Sequence, residues 1–145
     1  MKIVVQRVSK ASIFINNSLH STINKGVCIF LGIHANDNTE NAKKLVDKVI
    51  NLRIFPDEFN YMNRSIIDVG GEVLVVSQFT LYANCKKGNR PSFQNAANKL
   101  IAMPLYDLFI NLLKEKKITV KSGIFGSDMN VKLENNGPVT IILEQ

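Results

Sequence analysis

The amino-acid sequence predicts an α+β fold in which a largely antiparallel β-sheet carries two main helices. β-Branched and apolar segments suited to strands occupy the beginning, the middle and the end of the chain. Only two long segments place apolar residues at helical spacing. Because strands and helices neither alternate strictly nor reduce to an all-β pattern, helices packed on one sheet are expected.

The opening of the chain predicts three strands. Residues 2–8 and 11–15 alternate in polarity, and Asn16-Asn17 offers a tight turn into a strand over residues 18–24. Residues 26–33 are continuously apolar, which is typical of a strand covered on both faces. This segment is therefore expected at the centre of the sheet.

A helix is predicted next. Asp37 is expected to be its N-cap, with Glu40 as the partner at the third helical position. Its apolar face comprises Ala42, Leu45, Val46, Val49 and Ile50.

The middle of the chain predicts a hairpin followed by a basic loop. After a turn-rich connector over residues 53–63, the two hairpin strands are residues 66–69 and 72–82, joined by Gly70-Gly71. Residues 84–94 are predicted to form an exposed loop. Its three cationic side chains are Lys86, Lys87 and Arg90.

The last third predicts the second main helix and three closing strands. A short helix is expected after the loop, and Pro104 suits the first turn of a longer one. The apolar stripe of that helix comprises Leu105, Leu108, Phe109, Leu112 and Leu113. The closing strands are expected over residues 118–121, 129–134 and 139–143, separated by breaks at 123–126 and 135–138.

Length and composition limit the function. The chain has 145 residues, which predicts a single domain over 1–145. No apolar run reaches the ~18 to 20 residues of a membrane span, and a cytoplasmic protein is expected. The 18 Lys and Arg against 12 Asp and Glu give 18 − 12 = +6, which favours a polyanionic partner such as nucleic acid. Phosphate-loop, nucleophile-elbow and zincin motifs are missing and only two histidines occur, so neither cofactor nor metal is expected.

Two segments stand out for their polar residues. Ser77, Gln78 and Thr80 follow four aliphatic residues, so they place uncharged polar groups at the end of a buried strand. In a strand, Gln78 and Thr80 would face one side, and Ser77 and Phe79 the other. A binding site and a plain polar strand edge are both compatible with this pattern. Gly137-Pro138 is compatible with an ordinary turn or with a rigid cis dipeptide.

The resemblance to a known family rests on two motifs, Ser77-Gln78-Phe79-Thr80-Leu81 and Asn136-Gly137-Pro138-Val139-Thr140. They are similar to the two signature motifs of the D-aminoacyl-tRNA deacylase family. Further matching segments are Gln6-Arg7-Val8, Arg53-Ile54-Phe55, Arg90-Pro91-Ser92-Phe93 and residues 123–129, so the resemblance covers the whole chain.

The resemblance implies a homodimer with a barrel-like sheet that hydrolyses the ester between a D-amino acid and the 3′-terminal adenosine of tRNA. Glycyl-tRNA mischarged on tRNA(Ala) is an implied second substrate, and L-aminoacyl-tRNA would be rejected. Because an aminoacyl ester is already activated, orientation and oxyanion stabilisation suffice for hydrolysis. A non-catalytic RNA-binding homodimer and a purely structural oligomer are the competing hypotheses.

The resemblance also assigns roles to residues. Residues 77–80 would form the floor of the site, with the Phe79 N–H as oxyanion donor and Gln78 as an orienting group. Thr80 is expected to position the ester, although a nucleophilic role stays open.

Further assignments concern substrate recognition. Gly137-Pro138 would enter the partner subunit's pocket, hold the substrate amino group and exclude L side chains, with Arg7 holding the dipeptide in place. Phe125 and Met129 would bind the terminal adenine, their alternative role being core packing.

Overall fold

The computed structural model describes residues 1–145 and contains one six-stranded sheet, a small two-stranded sheet and two α-helices. The strands are β1 (Lys2–Ile15), β2 (Ser18–Ile23), β3 (Gly26–Gly32), β4 (Phe55–Pro56), β5 (Met62–Arg64), β6 (Glu72–Ser77), β7 (Val120–Ser122) and β8 (Asn130–Glu144). The helices are α1 (Thr39–Ile50) and α2 (Lys99–Glu115), and a 3-10 helix spans Phe79–Tyr82. The predicted α+β class is confirmed. Neither α-helix combines the length and the hydropathy that a membrane crossing requires.

The long strand β1 organises the main sheet. Its first half pairs with β3 and its second half with β2, while β8 pairs with it along the other edge, all antiparallel. Beyond β3 the sheet continues with β6, which is parallel to β3, and then with β7, which is parallel to β6. The Ser21 hydroxyl donates to the Ser122 carbonyl at 3.1 Å, so the two ends of the sheet meet and the sheet is nearly closed.

Both faces of the central strand β3 are buried, as its continuous apolar sequence predicts. Val27, Ile29 and Leu31 belong to the large core between the sheet and the helices. Cys28 belongs to a smaller cluster inside the curved sheet. The predicted apolar face of α1 is buried in the large core as well.

The predicted cap of α1 is wrong by one residue. The N-cap is Asn38, whose side chain accepts the N–H groups of Glu40 and Asn41, while the Asn41 side chain accepts the Asn38 N–H. The Asp37 carboxylate is engaged elsewhere, because it accepts the His34 N–H and the amino group of Met1.

The predicted hairpin before β6 is also wrong. Residues 66–69 form turns rather than a strand, and β6 instead lies between two parallel neighbours, β3 and β7. The strand ends at Ser77 instead of Tyr82, because β3 ends at Gly32 and offers no further backbone partners.

Two further predicted breaks are absent. Residues 130–144 form one strand, because β1 supplies a continuous neighbour and accommodates residues 135–138 through shifts in register. The expected short helix and long helix are a single helix, α2, with Asn98 as N-cap and Pro104 in its interior. Pro104 and Leu100 are exposed, so water can reach the carbonyl that proline leaves without a donor.

Candidate active site

A cavity of about 390 Å³ lies where β6 ends beside the segment that follows β7. Its lining is mainly apolar with a few polar side chains, which is the usual character of a small-molecule site. The lining residues are Leu31, Ile33, Val76, Ser77, Gln78, Phe79, Ala97, Ala102, Phe125, Gly126, Ser127, Asp128, Met129 and Val131. Five of the residues singled out from the sequence therefore meet in one cavity: Ser77, Gln78, Phe79, Phe125 and Met129.

The floor of the cavity is the transition from β6 to the 3-10 helix. The Gln78 N–H donates to the Leu31 carbonyl at 2.8 Å, which ends the parallel ladder. Phe79 is the first residue of the 3-10 helix, and Gln78 supplies no side-chain cap. Because the first N–H groups of a helix have no intrahelical partner, the Phe79 N–H is available to a ligand.

Thr80 lies beside the cavity without lining it. The strand alternation that separates Gln78 and Thr80 from Ser77 and Phe79 does not apply, because the chain turns into the 3-10 helix. The Gln78 side-chain amide donates directly to the Thr80 hydroxyl oxygen. Thr80 has no hydrogen bond to His, Asp or Glu, so no general base activates its hydroxyl.

The segment after β7 forms the opposite wall and is anchored to α2. The Tyr106 ring lies 5.5 Å from the Phe125 ring, and the Tyr106 hydroxyl donates to the Val75 carbonyl at 3.0 Å. The Gly123 N–H donates to the same carbonyl at 3.1 Å. Burial raises the pKa of Tyr106 to about 12, so its hydroxyl stays protonated and remains a donor even at moderately alkaline pH.

Arg7, Gly137 and Pro138 form a second group that does not line this cavity. The buried Arg7 side chain donates from Nε to the Asn136 carbonyl at 3.0 Å and from Nη1 to the Ile54 carbonyl. Arg7 thus holds the backbone immediately before the dipeptide. The Gly137-Pro138 bond is cis, Gly137 has φ +124°, and both residues are exposed.

The basic loop is attached to the cavity through aromatic contact. Asn84 and Ser92 exchange two backbone hydrogen bonds that close the loop. The Phe93 ring lies 4.9 Å from the Phe79 ring in an edge arrangement. Lys86, Lys87 and Arg90 are exposed, as predicted, and none of them forms an ion pair.

Sequence reasoning missed four lining residues: Asp128, Ser127 and the small residues Ala97 and Ala102. Asp128 stands beside Met129 in a segment that the family resemblance already includes. No periodicity marks a single carboxylate in a turn. Its place in the cavity becomes visible only when β7 is positioned beside β6.

Comparison with known proteins gives consistent matches along the whole chain. The model of the family D-Tyr-tRNA(Tyr) deacylase matches residues 4–144. A D-aminoacyl-tRNA deacylase of Clostridium botulinum (strain Alaska E43 / Type E3) is 49% identical over 144 residues, covering 99% of this chain and 97% of that protein. The protein of the same name from Aquifex aeolicus (strain VF5) is 48% identical, covering 99% and 97%.

Solved structures agree with the fold. A structure titled "c-Myc DNA Unwinding Element Binding Protein" has a TM-score of 0.94 and 40% identity, covering 100% of this chain and 99% of the other. A structure described as a probable eukaryotic D-amino acid tRNA deacylase has a TM-score of 0.85 at 18% identity, covering 98% and 97%. The second likeness concerns the fold alone.

Proposed function

The chain belongs to the D-Tyr-tRNA(Tyr) deacylase family, and from this premise we propose that it is a cytoplasmic enzyme of chiral proofreading. Its activity is hydrolysis of the ester bond of D-aminoacyl-tRNA, which releases free D-amino acid and tRNA. It rejects L-aminoacyl-tRNA and accepts glycyl-tRNA mischarged on tRNA(Ala). The observation that carries the proposal is the cavity that joins residues 77–79 to Phe125 and Met129.

Catalysis in this proposal relies on positioning rather than on an activated side chain. The cavity lining contains neither histidine nor cysteine, and Thr80 lacks a base. The Phe79 N–H stabilises the oxyanion that develops on the ester carbonyl, and Gln78 orients Thr80 and the ester. Water is the nucleophile, assisted by the terminal ribose 2′-hydroxyl.

Fidelity comes from a second subunit. Gly137 and Pro138 are exposed and lie outside their own chain's cavity, which supports a role in the partner's cavity. There the dipeptide carbonyls hold the substrate amino group, and the backbone leaves no room for an L side chain. Arg7 holds the dipeptide through the Asn136 carbonyl.

Phe125 and Met129 bind the terminal adenine, which lies between these two side chains on one side and the cavity floor on the other. A flat base is suited to stacking on an aromatic ring and to contact with a thioether. Both side chains are half-buried and line open space, which supports this role over pure core packing.

The proposal is tested with tRNA charged with a D-amino acid, the matching L-amino acid or glycine. Release of D-amino acid and glycine, with L-aminoacyl-tRNA intact, is expected; retention of all three esters despite tRNA binding would instead support the non-catalytic RNA-binding hypothesis. Phe79→Pro removes the N–H at a helix position that tolerates proline, and a loss of about 100-fold in kcat is expected. Phe79→Leu, which keeps the N–H, is the matched control and retains most of kcat.

A further inference from the structure

Asp128 is the single charged side chain among the 14 residues that line the cavity. Nine of those residues are hydrophobic, so a carboxylate there is conspicuous. None of the chain's four ion pairs includes Asp128, although the chain carries 18 Lys and Arg residues. Its carboxylate forms no hydrogen bond within the chain and is therefore free to accept one from a ligand.

Asp128 lies between the two residues that form one wall of the cavity, Phe125 and Met129. Gly126 has φ +76°, and the Ser127 N–H donates to the Ile124 carbonyl at 3.2 Å, so this segment is a tight turn. The turn thus places the exposed Asp128 in the cavity lining together with the aromatic surface of Phe125 and the thioether surface of Met129. A flat ring that contacts those surfaces would present its edge to Asp128.

We propose that Asp128 accepts a hydrogen bond from the exocyclic N6 amine of the terminal adenine and so determines which base the cavity takes. An ionised carboxylate only accepts hydrogen bonds, and the N6 amine of adenine donates them. Guanine presents the O6 acceptor at the corresponding position, which a carboxylate repels. This inference rests on the proposed function, because it takes the adenine to lie against Phe125 and Met129.

The test removes either partner of the hydrogen bond. The substrates are D-aminoacyl-tRNA ending in adenosine and the same tRNA ending in purine riboside, which lacks the amine. For wild type, kcat/KM is expected to be about tenfold lower on the purine riboside substrate than on the adenosine substrate. This is the size of effect expected from losing one solvent-exposed hydrogen bond to a charged group. Asp128→Ala is expected to show the same loss on adenosine and no further loss on purine riboside. Asp107→Ala removes an exposed carboxylate of α2 and is expected to match wild type on both substrates.

Two results would overturn the inference. One is an Asp128→Ala loss that is equally large on both terminal bases. The other is a loss that disappears when the substrate amino group is acetylated, because the carboxylate would then bind the α-ammonium instead.

A binding measurement gives the same comparison without hydrolysis. The affinities of wild type and Asp128→Ala are measured for uncharged tRNA that ends in adenosine or in purine riboside. This measurement decides the role of Asp128 even if the ester is never cleaved, so failure of the inference and failure of the proposed function can be told apart.

Discussion

Thr80 has the only hydroxyl attached to the cavity floor by a direct side-chain hydrogen bond, which it accepts from the Gln78 amide. That contact fixes the position of the hydroxyl, but an amide cannot remove its proton. Thr80 is therefore a positioning residue in the proposed reaction. Ser77, at the end of β6, lines the cavity but likewise has no histidine or carboxylate bonded to it.

The first prediction follows from this geometry. Thr80→Ser and Thr80→Ala are expected to retain measurable deacylation, with kcat reduced about tenfold or less for Thr80→Ala, because the attacking water and the Phe79 N–H remain. Single-turnover rates on D-aminoacyl-tRNA measure the effect. An aminoacyl adduct on Thr80, trapped and located by mass spectrometry, would refute the positioning role.

Gly137 is sensitive to any added side chain. A Cβ there would lie 2.8 Å from Nη2 of Arg7, and the residue has a φ of +124° that L side chains rarely adopt. Gly137→Ala is therefore expected to displace the dipeptide, to lower kcat/KM at least about tenfold and to reduce the preference for D over L substrates.

Gly70→Ala is the matched control, because Gly70 has φ +59° and nothing within 4 Å of the added carbon. Gly70→Ala also places an L side chain on a backbone with positive φ, which destabilises the fold by about 1 to 2 kcal/mol, but the added carbon collides with nothing. Both variants are compared by thermal unfolding and by D and L deacylation rates. Equal activity of Gly137→Ala and Gly70→Ala would mean that the dipeptide plays no part in the site.

At the scale of elements, the basic loop and the cavity form one unit, since Phe93 packs on Phe79. Lys86→Ala/Lys87→Ala is expected to raise KM for D-aminoacyl-tRNA and to leave kcat unchanged, the pattern of lost uniform binding. If each lysine contacts a phosphate, the slope of log affinity against log salt decreases by about 0.7 to 0.9 per lysine.

Lys44→Ala/Lys48→Ala removes the same charge from the exposed side of α1 and is the control for net charge. Titrations of one tRNA at several ionic strengths measure both slopes. If Lys86→Ala/Lys87→Ala leaves both KM and the salt dependence of affinity unchanged, these lysines face solvent and do not contact the tRNA.

The sequence allowed the elements to be predicted wherever a pattern is local. The apolar face of α1 and the double burial of β3 follow from spacing alone, and both are confirmed. The end of β6 was mispredicted because it depends on where β3 stops, 45 residues earlier in the chain at Gly32. The continuity of β8 likewise depends on β1, which no local pattern reveals.

For the site, motif resemblance predicted residues that the fold does bring together at the cavity, while Asp128 required the assembled structure. A single carboxylate in a turn has no sequence signature of its own. Its significance comes from Phe125 and Met129 on either side and from the missing ion pair.

At the scale of the whole molecule, the two groups of residues named by the motifs do not complete one site within one chain. Phe79 lines the cavity but Gly137 and Pro138 do not, and Arg7 ties the dipeptide to β1 and the connector instead. A two-fold dimer would resolve this separation, because each exposed dipeptide would face the cavity of the other subunit. Activity should then depend on pairs of chains.

The last prediction tests this dependence by mixing two variants that are each expected to be impaired. Phe79→Pro lacks the oxyanion donor but keeps an intact dipeptide, whereas Gly137→Ala keeps the donor but has a displaced dipeptide. In a mixed dimer, the Gly137→Ala cavity receives the intact dipeptide of the Phe79→Pro subunit, so one of the two sites is complete.

Random exchange of equal amounts makes about half of the dimers mixed, and half of their sites are complete. The mixture should therefore show about a quarter of the wild-type rate per subunit. Size-exclusion chromatography with light scattering establishes the oligomeric state of each variant. If each site were confined to a single chain, mixing the two variants would not raise the activity. A mixture of proven dimers that recovers no activity would therefore contradict a site shared between subunits.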